Sequence, residues 1–167
     1  MLDALVIGAD SFIGAGLLRH LTGNVLGTSR RLDQDSFYLD LLDVPDTLPA
    51  AKTVYICAAM TRFIDCEAER TAYRINVDAP ISIVRACSTN WPAPGNVIFL
   101  SSEAVERANA TRYGTYKAMA ELGLRTVCNP HIVRLSKVTD LDECCKFLIS
   151  VADKPPGIYH WKPQSSI

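Results

Sequence analysis

A chain of 167 residues, 49% apolar and 21% charged, suits one folded domain with a real core and has neither a disordered nor a fibrous bias. Its net charge of −1 argues against the basic face of a general nucleic-acid binder, so no nucleic-acid partner is expected. Met1-Leu2-Asp3 carries no basic leader, and the first apolar run, residues 4–7, is far too short for a signal or a membrane span. The expectation is a soluble, cytoplasmic protein with no membrane partner.

In chain order, strand-length apolar runs alternate with helical patterns. Ala4-Leu5-Val6-Ile7 reads as a buried strand and residues 12–21 as a helix. Short strands follow at 25–28, 36–39 and 53–57. A long helical stretch over 65–88 comes next, with Pro80 kinking or restarting it. The fifth strand is 96–100, a helix covers 112–127, and the sixth strand is 131–134. Thr139 or Asp140 is placed to cap a helix over 141–152, with Asp142 and Glu143 in its first turn. Pro155-Pro156-Gly157 then turns the chain into a last strand at 158–161. Continuous apolar strands between helices predict an α/β doubly wound parallel sheet, a Rossmann fold of about seven strands with helices on both faces. No internal repeat or linker interrupts it, so residues 1–167 read as one domain.

The six cysteines, Cys57, Cys66, Cys87, Cys128, Cys144 and Cys145, form no CxxC pair, and the histidines lack ligand spacing. Most lie in apolar runs, where Cys behaves as a small hydrophobe. Reduced thiols and no metal are expected.

In a doubly wound sheet, ligands bind beyond the C-terminal strand ends at the topological switch point. After the first strand comes Gly8-Ala9-Asp10-Ser11-Phe12-Ile13-Gly14. The first glycine permits a tight turn, the last permits close packing of helix on sheet, and the N–H groups between can face a pyrophosphate. Ser11 stands where a GxxGxxG spacing would put glycine. Strand-turn-helix glycines also occur for packing alone, so this loop does not decide the matter by itself. After the second strand the chain reads Gly27-Thr28-Ser29-Arg30-Arg31, with no acid before Asp33. Ser29, Arg30 and Arg31 suit a 2′-phosphate, which favours NADP(H) over NAD(H); the alternative is a solvated basic turn.

The fifth strand runs into Ser101-Ser102, and the 112–127 helix opens with Tyr113-Gly114-Thr115-Tyr116-Lys117. Residues four apart share a helix face, so Tyr113 and Lys117 can point together into the crevice. A phenol normally titrates near pH 10, and a neighbouring ammonium should lower that value. Tyr113 then serves as general acid or base for a carbonyl/alcohol pair while hydride moves to or from nicotinamide, with Ser102 orienting the same oxygen. A YxxxK alone recurs by chance. Its order here, after a glycine loop and a Ser-Ser strand end, is what carries the reading.

Taken together these segments resemble the extended short-chain dehydrogenase/reductases, the group of nucleotide-sugar epimerases, dehydratases and reductases. The similar features are Val6-Ile7-Gly8 through Phe12-Ile13-Gly14, Asp40-Leu41-Leu42-Asp43, Cys57-Ala58-Ala59, Arg74-Ile75-Asn76-Val77, Ser101-Ser102, Tyr113 with Lys117, and Val133-Arg134-Leu135. The resemblance implies that Asp40 and Leu41 flank the adenine and that Ala58, Ala59 and Asn76 contact the cofactor. It implies a hold on the nicotinamide ribose for Lys117 and a small-molecule substrate of sugar-nucleotide or other carbonyl/alcohol type. It also implies a homodimer through the 65–88 and 112–127 helices, to which Tyr73, Ile81, Ile83 and Val84 would lend an apolar outer face.

Members of that group are longer, with a substrate lobe built after the fifth and sixth strands. Only ten residues separate Ser102 from Tyr113 here, and few separate Arg134 from Asp140, so the lobe is expected to be largely absent from an otherwise complete chain. Two functions stay open: an NAD(P)-dependent reductase, epimerase or dehydratase, or a dinucleotide-binding sensor or partner subunit with little catalysis of its own.

Overall fold

Successive side chains of a strand face opposite sides of its sheet, and in this chain both sides are apolar. The computed structural model describes residues 1–31, 35–89 and 94–164, without the side chains at 63, 64 and 108. It forms β1 (Leu2–Ile7), β2 (Val25–Ser29), β3 (Ser36–Tyr38), β4 (Ala51–Ile56), β5 (Asn96–Ser102), β6 (His131–Leu135) and β7 (Gly157–Trp161). They make one parallel sheet in the order β3-β2-β1-β4-β5-β6-β7. The chain winds outward from β1 to β3, then returns to β4 on the other side of β1. The strand order therefore reverses between β1 and β4.

The helices are α1 (Phe12–His20), α2 (Phe63–Ala68), α3 (Ala79–Ser88), α4 (Arg112–Val127) and α5 (Leu141–Val151). Leu5, Ile7, Val54, Ile56, Val97 and Phe99 are buried on one face with Ile83, Val84 and Cys87 of α3 and Ala120 and Leu124 of α4. Their strand neighbours Ala4, Val6, Tyr55, Ile98 and Leu100 are buried on the other, against Leu17 of α1 and Cys144, Cys145 and Leu148 of α5. Two dry layers on one sheet explain why the strands read as unbroken apolar runs. All six cysteines are free thiols, four of them buried, and burial pushes those of Cys87 and Cys144 up to about 12. They act as core hydrophobes.

The helical stretch expected over 65–88, with a kink or restart at Pro80, is interrupted well before that proline. α2 ends at Ala68, the chain breaks over the next residues, and a π-helical turn (Arg74–Asp78) leads into α3. Pro80 does not make that break: it stands in the first turn of α3, directly after the π-helical turn, where its missing N–H is not needed. Of the two candidate caps before α5 it is Asp140 that acts, accepting from the Glu143 N–H at 2.9 Å. Among the described residues no helix is long and apolar enough to cross a membrane.

Candidate functional site

β1 delivers the chain to Gly8, whose φ of +83° is open to glycine at little cost. A Cβ there would lie 2.6 Å from Ala58 Cβ, and one on Gly14 would lie 2.0 Å from the Gly8 carbonyl oxygen. The loop is a cradle that side chains would fill. Ser11, between the two glycines, turns inward: its hydroxyl donates to the Gly8 carbonyl at 2.6 Å and accepts from the Gly14 N–H at 3.1 Å, capping α1. The serine thus supplies locally a constraint that a glycine would have left open. Phe12 and Ile13 open α1 with N–H groups that the helix's own ladder cannot satisfy. The Phe12 side chain is exposed, and that of Ile13 packs on the core.

A cleft of about 460 Å³ opens beside this loop, at the switch point. It is walled by Gly8, Asp10 and Ser11, by Ser29 at the end of β2 and Arg30 just after it, by Asp40 and Leu41 after β3, and by Ala58 and Ala59 after β4. Asp40 Oδ1 accepts the Leu42 N–H at 2.9 Å, so one carboxylate oxygen holds the turn. The cleft also takes in Thr28, Met60, Thr71 and Ile75, none of which was expected to contact the cofactor. Thr28 Oγ1 accepts the Gly8 N–H at 3.1 Å and ties the loop to β2. A threonine two residues before a basic pair was the available signal.

Two expected cofactor contacts sit differently. Arg31 does not wall the cleft: its exposed guanidinium reaches back to within 3.9 Å of Asp10, while its N–H bonds the Ser29 hydroxyl at 3.0 Å. The two arginines therefore do not form one fork; Arg30 alone faces the cleft. Asp33 lies outside the described residues. Asn76 is buried behind the wall, where Oδ1 accepts the Met60 N–H at 3.0 Å and Nδ2 donates to the Met60 carbonyl at 3.1 Å. It shapes a residue that lines the cleft rather than lining it.

Ser102, Tyr113 and Lys117 do converge, at the C-terminal end of β5. Thr111 caps α4 by accepting the Gly114 N–H at 3.0 Å, which sets the first turn of the helix. Tyr113 is only 9% exposed and hydrogen-bonds the Ser102 side chain, and Ser102 Oγ also accepts the Ala104 N–H at 3.1 Å. Lys117 is buried one turn on. Its Nζ donates to the Leu100 carbonyl at 2.9 Å and stands 4.7 Å from the Phe99 ring centre and 6.0 Å from that of Tyr113. Burial pushes the Lys117 ammonium down to about 8. Burial also raises Tyr113, with the Ser102 hydrogen bond pulling the other way. The expected lowering of the phenol is thus corrected: desolvation outweighs the Ser102 hydrogen bond, and Tyr113 is held above its ordinary value. None of the three walls the cleft beside the glycine loop.

The profile of the NAD dependent epimerase/dehydratase family matches residues 4–129, from β1 through α4. The chain belongs to that family. Among solved structures, this family member is similar to dTDP-4-dehydrorhamnose reductase from Bacillus anthracis in complex with NADP, at 16% identity and a TM-score of 0.79 over 99% of this chain and 76% of that one. TunA, an NAD dependent NDP-hexosamine 5,6-dehydratase of tunicamycin biosynthesis, gives 17% identity and 0.77 over 98% and 76%. A carbonyl reductase from Pseudomonas aeruginosa PAO1 gives 19% and 0.71 over 96% of this chain and 95% of its own. At such identities the likeness is one of fold, which these chains share as a doubly wound parallel sheet. No curated protein matches the sequence.

Proposed function

We propose that the chain is an NAD(P)-dependent oxidoreductase of short-chain dehydrogenase/reductase type acting on a small carbonyl or alcohol substrate, with sugar nucleotides the first class to test. The observation that carries this is the buried convergence of Ser102, Tyr113 and Lys117 at one strand end beside the switch point. The glycine cradle and its 460 Å³ cleft fit a dinucleotide: the N–H groups of Phe12 and Ile13 would meet the pyrophosphate, and Asp40, Leu41 and Ala58 the adenosine. When bound, the nicotinamide supplies or takes the hydride. Tyr113, protonated at neutral pH, gives its hydroxyl proton to the substrate carbonyl oxygen, which Ser102 orients. The test is a titration with NADPH and NADH, followed by a screen of carbonyl substrates for cofactor oxidation.

A second reading, a dinucleotide sensor or partner subunit, is favoured by one observation: the cleft is walled by adenosine-side residues and not by the triad. Cofactor binding without turnover on any carbonyl would select it. The shortened loops after β5 and β6 leave little chain for a substrate lobe, which favours a small substrate or one enclosed by a partner. A cytoplasmic setting suits its free thiols.

For cofactor choice, NADPH should bind more tightly than NADH through Arg30. A charge-assisted hydrogen bond contributes about 1.5–3 kcal/mol, so Arg30→Ala should abolish most of the preference. Arg31→Ala should change it less, because that guanidinium faces Asp10. Equal calorimetric affinities for both cofactors in the unmodified chain would remove this assignment.

Self-association as a homodimer is proposed through the outer face of α4. Ile83 and Val84, expected on that outer face, are instead buried against the sheet, and Ile81 fills the gap beside Gly123. On and beside α4 the exposed large apolar residues include Tyr73, Met119 and Leu122, the last 64% exposed, with Tyr73 set edge-on to Tyr116. Light scattering should give a dimer mass for the unmodified chain and a monomer mass for Leu122→Glu. A monomer in both would sink the proposal.

A further inference from the structure

Each of the last three residues of β5 is held by a side chain from one face of α4. Ser102 hydrogen-bonds Tyr113, the Leu100 carbonyl accepts from Lys117 Nζ at 2.9 Å, and Ser101 Oγ donates to Glu121 Oε1 at 2.6 Å. Tyr113, Lys117 and Glu121 are successive at a spacing of four, so one helical stripe grips the strand end. Two members of this stripe belong to the proposed chemistry. The third, Glu121, has no place in it so far.

The Glu121 side chain is only 4% exposed. A buried carboxylate without a counter-charge is strongly disfavoured, and one turn from an ammonium it would take that ammonium as its partner. Arg134 prevents this. It lies on β6 opposite Ser101, and donates from Nε to Oε1 at 3.1 Å and from Nη2 to Oε2 at 2.8 Å, a two-pronged bond matched to the carboxylate. Lys117 is thereby left on the Leu100 carbonyl. The other groups facing Lys117 are the Phe99 ring of β5, Tyr113 of α4, and the thiols of Cys57 beyond β4 and Cys66 on α2, both kept protonated by burial. Glu121 is thus the anion within reach of that ammonium.

We propose that Glu121 and Arg134 are a positioning pair, which locks the ends of β5 and β6 to the middle of α4 through Ser101 and holds Lys117 on the Leu100 carbonyl by occupying the carboxylate that would otherwise capture it. This rests on the reading that Lys117 and Tyr113 serve the nicotinamide half of a dinucleotide site. The pair touches neither cofactor nor substrate; it acts on the residues that do.

The test compares two affinities in each variant. One is for whichever of NADPH and NADH the unmodified chain binds more tightly; the other is for the matching adenosine fragment, 2′,5′-ADP or ADP, which reports only the far half of the site. Arg134→Met should lower the dinucleotide affinity about tenfold or more while fragment affinity stays within about twofold. The double variant Glu121→Gln/Arg134→Met should recover most of that loss, because the stranded carboxylate is gone, even where thermal stability is not restored. A merely structural pair would lower both affinities together and make the double variant no better than the single; either result overturns the proposal. Should Arg134→Met fail to fold, Ser101→Ala removes one hydrogen bond and no charge. Its dinucleotide-to-fragment affinity ratio should fall, and an unchanged ratio overturns the proposal equally. If Lys117→Met also leaves that ratio unchanged, or the unmodified chain binds neither probe, the dinucleotide reading itself fails and takes the pair with it. A ratio that responds to Lys117→Met but not to Arg134→Met defeats the pair alone.

Discussion

Replacing Tyr113 by phenylalanine is expected to cut turnover by about 10²–10⁴-fold while leaving cofactor affinity nearly unchanged. The hydroxyl is the only atom lost, and the ring stays packed on Cys66 and Ala72. Ser102 keeps its bond from the Ala104 N–H, so the strand end should hold its shape. What disappears is the proton delivered to the substrate oxygen in the transition state. Because burial holds the phenol above its ordinary value, the acid form persists through neutral pH and into the alkaline range. Carbonyl reduction should therefore show no loss of rate between about pH 6 and 9 from this group. An active enzyme whose Tyr113→Phe variant keeps near-full turnover would dismiss the assignment. Cofactor binding with no turnover in either protein would promote the sensor.

Lys117→Met is expected to move stability and function in opposite directions. The lysine's folded pKa is depressed to about 8 from an ordinary 10.5, with burial the leading cause. Its charge in the folded state therefore opposes folding at neutral pH, by about 1–3 kcal/mol for a shift of this size once the lost Leu100 hydrogen bond is discounted. Between pH 8 and 10.5 the unfolded chain binds more protons at this site than the folded one, so this contribution to stability rises with pH. The advantage of Met over Lys should accordingly be full below about pH 8 and shrink above it. Taking the difference between the two proteins cancels the buried thiols, whose raised pKa values pull the other way above pH 9. Chemical denaturation at pH 7 and pH 9.5 measures it. The same variant should bind dinucleotide more weakly and lose turnover, the exchange of stability for function expected when a cation is buried for use. A Met variant less stable than the parent at pH 7 would show that the hydrogen bond to Leu100 outweighs the desolvation of the charge.

Local pattern made much of this protein legible in one dimension. Strand-length apolar runs specify burial on both faces, and their alternation with helices makes that a covered parallel sheet. Gly8 and Gly14 mark the cradle because backbone close approach depends on a missing Cβ, a property of the residue itself. Tyr113 and Lys117 could be paired because a spacing of four is fixed by the helix, whatever surrounds it.

Tertiary structure decided what depends on residues far apart in the chain. Arg30 and Arg31 are adjacent, yet one faces the cleft and the other turns to Asp10, twenty-one residues away from it. Asn76 reads as a cofactor contact, yet in the fold its amide holds the backbone of Met60, which lines the cleft. Ile83 and Val84 look surplus to one helical stripe, yet packing buries both against the sheet. The pKa of Tyr113 could not be signed from its neighbours, because desolvation is set by everything that closes around the ring and here exceeds the pull of the Ser102 hydrogen bond. Glu121 gave no signal at all, since it lies on a helix and its partners Ser101 and Arg134 come from two strands that meet it only when the sheet is assembled. Periodicity and backbone sterics are local and can be read along the chain; burial, charge pairing and which face a residue presents are properties of the assembled neighbourhood.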